Sequence, residues 1–275
     1  MTPNLPNLKI LPLDKLILHE DHDLQRTLPL IGKLRAQGIL RNPPIVIPLT
    51  DGSGRYMVLD GANRVTSLRE MGFPHIVTQV VEPDDRNVGL QTWNHVVWGM
   101  GVRRFLKELK AVDTILVKQV DPKKSFHPPD TAPALIRLVN GNTYLAITPP
   151  GPFEQVHALH GLVNCYKEHA CLDRTSQTLM EGFKHIYPDL TALVIFPRFE
   201  INTVLMLAGR NYLLPAGITR FTVSPRALHL NYPLHELSSG KPIEYKEAYL
   251  QHWVGERVKN KGVRHYAEAT FLFDE

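Results

Sequence analysis

Residues 55 to 72 hold a strand, a two-residue break and a helix in immediate succession, and this unit restricts the fold more than any other stretch. Tyr56 to Leu59 is an apolar, partly aromatic run of strand length, and Asp60-Gly61 interrupts it. From Ala62 the period changes: Val65, Leu68 and Met71 recur at helical spacing, and Gly72 is placed to end the helix. The turn therefore opens a helix N-terminus. Its free backbone N–H groups carry partial positive charge and suit a phosphate. Arg64, in the first turn, adds a forked cation for phosphate oxygens. Asp60, just before the turn, is placed to hold a metal ion or to orient a hydroxyl.

Around this unit the pattern is that of a small α/β domain. Leu8 to Leu16 reads as an edge strand, since Pro12 argues against a central one. Leu18 to Asp23 packs three acids and two histidines into a polar loop, with Asp23 as the expected N-cap of the next helix. Leu24, Leu28, Ile31 and Leu34 give that helix its period; Pro29 predicts a late start or a kink, and Gly38 the end. Ile45 to Leu49, a turn at Asp51-Gly52-Ser53-Gly54, and His75 to Val81 supply further strands.

The second half mixes strands and helices. Val102 to Leu109 reads as helix and Asp121 to Pro133 as a linker. Ala134–Val139 and Tyr144–Thr148 form an expected hairpin, and Ala192–Phe196 a buried strand. Pro152 to Ala170 reads as a helix whose apolar face holds Val156, Leu159, Leu162, Val163 and Tyr166. His157, His160, Cys165, His169 and Cys171 do not converge on one face of it, so a local zinc site is rejected. Leu214 to Val223 is a turn into a strand, with Ala227–Leu230 as its expected partner. Lys241 to Asn260 reads as a polar helix and Val263 to Phe273 as a terminal strand.

Composition narrows the classes. A net charge of +4 suits phosphate-bearing ligands, but the basic pairs Arg103-Arg104 and Lys123-Lys124 are scattered and form no stripe for nucleic acid. Two cysteines give no disulfide framework. The absence of an apolar run of bilayer length or of a signal-peptide pattern makes the cytoplasm the expected compartment, with no membrane partner. The loop Gly-x-x-x-x-Gly-Lys-Ser/Thr of Walker-type kinases does not occur. Oligomeric state is not encoded in any pattern we recognise.

Four segments together resemble one group. They are Leu8–Lys15 with Leu18-His19-Glu20, Gly54–Leu68 around Asp60-Gly61-Ala62-Asn63-Arg64, Thr92-Trp93-Asn94-His95, and Pro215 to Phe221. In this order they resemble the free L-serine kinases of the ParB/sulfiredoxin fold, including those that make O-phosphoserine for siderophore synthesis. The resemblance implies an α/β (α+β) protein with a ParB/sulfiredoxin-like nucleotide-binding domain over residues 1–98. A second α/β domain over 99–275 would complete the substrate site, with the active site in the cleft between them. It also implies a phosphoryl transfer from ATP or ADP, with Mg²⁺, to the hydroxyl of free L-serine.

By the same resemblance Glu20 is the catalytic carboxylate, and Asp60 assists at the phosphates and is the candidate Mg²⁺ ligand. Gly61, Ala62, Asn63, Arg64, Thr66 and Ser67 would bind nucleotide phosphate. Trp93, His95, Thr219 and Arg220 would form the amino-acid pocket. Two positions depart from the wider fold group. Sulfiredoxins carry a catalytic Cys where Ala62 stands, so sulfur-oxide repair is not expected. Asn63 stands where His is usual; it donates a hydrogen bond but carries no charge. The alternative expectation is a nucleotide-binding, ParB-like DNA-binding or regulatory protein without kinase activity. DNA is the less expected partner, because no helix-turn-helix pattern follows the first domain.

Overall fold

The computed structural model describes residues 5–21, 24–122, 128–129 and 132–266. The first part of the chain forms β1 (Leu8–Pro12), β2 (Leu16–Ile17), α1 (Leu24–Gln37), β3 (Ile39–Leu40), β4 (Ile45–Pro48), β5 (Tyr56–Asp60), α2 (Ala62–Glu70) and β6 (His75–Val80). Five of these strands make one sheet in the order β1-β6-β4-β5-β2. β4 and β5 are antiparallel across the expected turn at residues 51–54, whereas β2 runs parallel to β5. Met57, Val58 and Leu59 bury β5 on both faces. α2 follows at once because Gly61 adopts a left-handed backbone (φ 99°), a conformation that a Cβ would oppose. Val65, Thr66, Ser67 and Leu68 are buried in α2, and Gly72 (φ 74°) ends the helix as its period predicts.

The chain continues as β7 (Val88–Thr92), β8 (Asn94–Trp98), α3 (Val102–Lys110), β9 (Leu116–Val120), β10 (Ala134–Leu138), β11 (Thr143–Ile147), α4 (Pro152–Lys167), β12 (Cys171–Thr175), β13 (Leu190–Ile195), α5 (Ile201–Gly209), β14 (Thr219–Val223), β15 (Tyr232–Pro233), α6 (Leu234–Ser238) and α7 (Ile243–Lys259). A six-stranded antiparallel sheet has the order β12-β8-β13-β10-β11-β9. α4 buries the five apolar residues its period marks out. β7 pairs with β14 in a separate ribbon, and the chain passes from that ribbon into the six-stranded sheet at Trp93.

Three clusters of buried apolar residues result among the described residues. One joins β4, β5, the six-stranded sheet, α4 and α5; a second joins the first sheet to Leu230, Tyr232, Leu234, Leu237 and Leu250; a third, with Val96, Leu135, Phe183 and Leu193, covers the other face of the six-stranded sheet. Relative to the expected division at residue 98, β8 lies inside the six-stranded sheet, and the segment from Leu230 to Trp253 packs back on the five-stranded sheet. The two halves are thereby interlocked.

Several local expectations are corrected. Residues 227–230 are not the partner of β14, which pairs instead with β7; Pro225 lacks the N–H to continue a ladder, and the segment crosses to the first sheet, where the Ala227 N–H donates to Gln79 Oε1 at 2.8 Å. α1 begins at Leu24 and contains Pro29 rather than starting after it. α4 ends at Lys167, short of the expected Ala170, and Cys171 opens β12. α7 is not polar throughout: Lys246 and Leu250 are buried, and the Lys246 ammonium donates to the Leu237 and Ser239 carbonyls, each at 2.7 Å. Residues 263–266 are not a strand; the rest of that expected strand, the N-cap Asp23 and much of the expected linker lie outside the described residues. No helix among the described residues is long and apolar enough to cross a membrane.

Candidate active site

β2 and β5 run parallel, with Ile17 opposite Met57, so Asp60 at the end of β5 and Glu20, three residues beyond β2, both lie toward the carboxyl edge of the pair. Open α/β sheets receive ligands at such edges. The loop after β2 is held by the other half of the chain. The Leu214 N–H donates to the His19 carbonyl at 2.8 Å, and the Asp21 N–H donates to the Leu214 carbonyl at 2.9 Å. Between these bonds the Glu20 carboxylate accepts three more. Gly217 N–H donates to Oε2 at 2.7 Å, Thr219 N–H to Oε1 at 2.6 Å, and the Thr219 hydroxyl to Oε1 at 2.5 Å. A carboxylate so supplied with donors is fixed in one rotamer.

Gly217 is the hinge of this arrangement. Its φ of 83° belongs to the left-handed region, and the Arg174 guanidinium lies where a Cβ would stand. While its N–H serves Glu20, its carbonyl faces His95 Nε2 at 3.4 Å. His95 is buried in β8, and its Nδ1 lies 2.8 Å from the Tyr166 hydroxyl. A carbonyl only accepts, so Nε2 carries the hydrogen and Nδ1 accepts from Tyr166. Burial and the nearby cations Arg174 and Lys167 act against a second proton, and the His95 pKa falls to about 4 despite the Gly217 contact. His95 thus supports the Gly217 turn from beneath and does not line an open cleft.

Trp93 and Arg220 do meet. The guanidinium sits over the indole ring, 4.5 Å from its centroid, and the Trp93 N–H donates to the Ile218 carbonyl at 2.9 Å. Thr219, grouped with Arg220 in the sequence reading, has both its N–H and its hydroxyl on Glu20.

At the phosphate turn, Ala62 and Asn63 are half-buried at the mouth of α2. Arg64 folds back across Gly61: it donates to the Asn42 carbonyl at 2.6 Å and lies 3.6 Å from Asp60 Oδ2. Arg226, which the sequence reading did not single out, also ion-pairs with Asp60 Oδ2. Two guanidinium groups therefore converge on Asp60, the residue before the N-cap Gly61 of α2. Thr66 and Ser67 are not brought to the turn. Both are buried in the body of α2, and the Ser67 hydroxyl donates to the Thr27 carbonyl of α1 at 3.4 Å.

Besides Arg226, the sequence reading missed Arg174 and the role of His19. Arg174 sits in an unremarkable exposed strand, and only the pairing of β12 with β8 carries it to Gly217. Arg226 follows Pro225, 166 positions from Asp60, and no local pattern links the two.

No protein-family model matches the chain. It is 25% identical over 273 residues to the ATP-dependent L-serine kinase SbnI of Staphylococcus aureus, and the match covers 98% of each chain. Among solved structures, SbnI with a C-terminal truncation superposes with a TM-score of 0.73 at 21% identity, over 92% of this chain and 97% of that one. A free serine kinase in complex with AMP superposes with a TM-score of 0.69 at 17% identity, over 86% of this chain and 98% of that one. The resemblance to free serine kinases drawn from the four segments is borne out, and the mixed α/β fold is shared with both structures.

Proposed function

We propose that this chain is an ATP-dependent kinase that phosphorylates the hydroxyl of free L-serine to give O-phospho-L-serine, with Glu20 as its base. The observation that carries the site assignment is the Glu20 carboxylate, held by donors from Gly217 and Thr219 where the two halves of the chain meet. A serine hydroxyl is a weak nucleophile, and a fixed carboxylate accepts its proton as the phosphoryl group transfers. The DNA-binding alternative is disfavoured, since a curated relative that matches along its whole length is a serine kinase.

In this reading the N-terminus of α2, with Gly61, Ala62 and Asn63, receives the phosphates, while Arg64 and Arg226 neutralise them. Arg220, flattened on Trp93, takes the amino-acid carboxylate, with Thr219 positioning the base. Asp60 fits a magnesium ion as its one protein ligand. Its Oδ2 is engaged by the two arginines, Oδ1 has no hydrogen-bond partner among the described residues, and the carboxylate is 41% exposed. Mg²⁺ commonly takes one or two carboxylates and completes its shell with phosphate oxygens and water. Bound there, it would offset phosphate charge.

The test is phosphoserine formation from free L-serine with ATP or ADP as donor and Mg²⁺ present, for wild type and Glu20→Gln. Product from wild type and a loss on the order of 10²-fold or more in the variant are expected. A wild-type protein that binds ATP but yields no phosphoserine overturns the reading.

A further inference from the structure

Glu20 is joined to a second titratable side chain through a hydroxyl. His19 is buried, and its ring spans two partners: Nδ1 lies 2.7 Å from the Val58 carbonyl oxygen and Nε2 lies 2.7 Å from Thr219 Oγ1. Thr219 Oγ1 lies in turn 2.5 Å from Glu20 Oε1. The Phe221 ring closes the remaining side in an edge-on contact at 5.2 Å.

The hydrogens of this chain can be counted. The Val58 carbonyl only accepts, so Nδ1 carries one. The two links that remain, Nε2 to Oγ1 and Oγ1 to Oε1, need one hydrogen each, and Thr219 supplies only one. The other belongs either to His19 Nε2 or to the Glu20 carboxyl. A Glu20 that acts as a base is ionised, so the hydrogen then sits on His19 Nε2, and the Thr219 hydroxyl is forced to donate to Oε1. Oε1 also accepts the Thr219 N–H, which occupies both its lone pairs. Among the described residues Oε2 accepts from Gly217 alone, which leaves one of its lone pairs for the serine hydrogen.

We propose that His19 is a positioning residue: through the Thr219 hydroxyl it keeps the shared hydrogen off Glu20 and makes Oε2 the atom that takes the serine proton. This rests on the kinase reading above. In the step, the serine O–H bond breaks and its hydrogen passes to Oε2. The freed oxygen pair forms the bond to the γ-phosphorus, the bond from that phosphorus to the β–γ bridging oxygen breaks, and its electron pair leaves with ADP. Of the other charged groups nearby, Arg174 lies against Gly217, and three more have contacts elsewhere. Asp21 faces His160 of α4 at 3.6 Å, Asp60 is held by Arg64 and Arg226, and Arg220 lies on Trp93.

Two measurements test this. Steady-state kinetics of His19→Gln and Thr219→Val should show kcat reduced by about 10²-fold, the scale of a misaimed catalytic group, with KM for ATP held within about twofold. Thr219→Ser, which keeps the hydroxyl, should recover most of the loss. An unchanged kcat in His19→Gln, or a Thr219→Ser no better than Thr219→Val, overturns the proposal. The second is ¹⁵N NMR of the His19 ring in the substrate-free protein. Hydrogen on both ring nitrogens is expected in wild type, with Nε2 losing its hydrogen in Thr219→Val. A wild-type His19 bearing one hydrogen overturns the proposal even where a variant fails to fold. A wild type that makes no phosphoserine while His19 keeps both hydrogens sinks the kinase reading and leaves the hydrogen-bonded chain standing.

Discussion

Arg226 reaches from the segment after β14 to ion-pair with Asp60 at the end of β5, across 166 positions of sequence. Arg64 lies 3.6 Å from the same carboxylate oxygen, so two guanidinium groups share Asp60 just before α2. Arg226→Gln keeps the length but loses the charge. ATP affinity measured by calorimetry should fall by about tenfold or more, the size of one charge-assisted hydrogen bond. The melting temperature should hardly move, because the pair is solvent-exposed.

Gly61 sets the direction of the same turn. Its φ of 99° excludes most side chains, and a Cβ there would stand 3.0 Å from the Arg64 guanidinium. Gly61→Ala should cost about 1–2 kcal/mol, the penalty for an L-residue in the left-handed region. It should also displace Arg64 from Asn42 and Asp60. Urea unfolding reads the first effect and ATP titration the second.

His95 ties stability to pH. Its folded pKa of about 4 lies below the ordinary value of 6.5 because burial opposes the charged ring. The unfolded chain therefore takes up the proton first. The stabilisation is fully present above about pH 6.5 and is lost as pH falls toward 4, on the order of 3 kcal/mol over that window. Urea midpoints at pH 7.5 and 5 should differ in this direction for wild type. His95→Gln, which cannot titrate, should flatten the slope.

The two cysteines should separate cleanly under alkylation. Cys171 is exposed at the start of β12. Cys165 lies half-buried on α4, and burial, with Glu108 adding to it, pushes its thiol up to about 12. The thiolate is the reactive form, so Cys165 stays inert near neutral pH. Mass spectrometry should find one iodoacetamide adduct on the folded protein and two after unfolding in urea.

Local chemistry settled a good deal of this molecule in advance. Tyr56 to Gly72 folds as its spacing indicates, because a buried strand, a left-handed glycine and an amphipathic helix are each decided by near neighbours. The 134–147 hairpin, the apolar face of α4 and the buried β13 follow for the same reason. The turn at residues 51–54 joins β4 and β5 as its composition suggests.

Long-range pairing decided the rest. Thr66 and Ser67 share the phosphate turn's helix in sequence, but helical geometry points them at α1 and the core, away from the turn. β14 takes its partner from residues 88–92 and not from the nearby 227–230, since strand pairing is governed by sheet edges and not by proximity along the chain. The meeting of Glu20 with Gly217 and Thr219 has the same origin. The residue types that do chemistry are fixed by the covalent chain. The direction of their hydrogen bonds, the burial of His95 and the approach of Arg226 to Asp60 exist only once the two halves have packed, because each depends on distances between groups that no local pattern constrains.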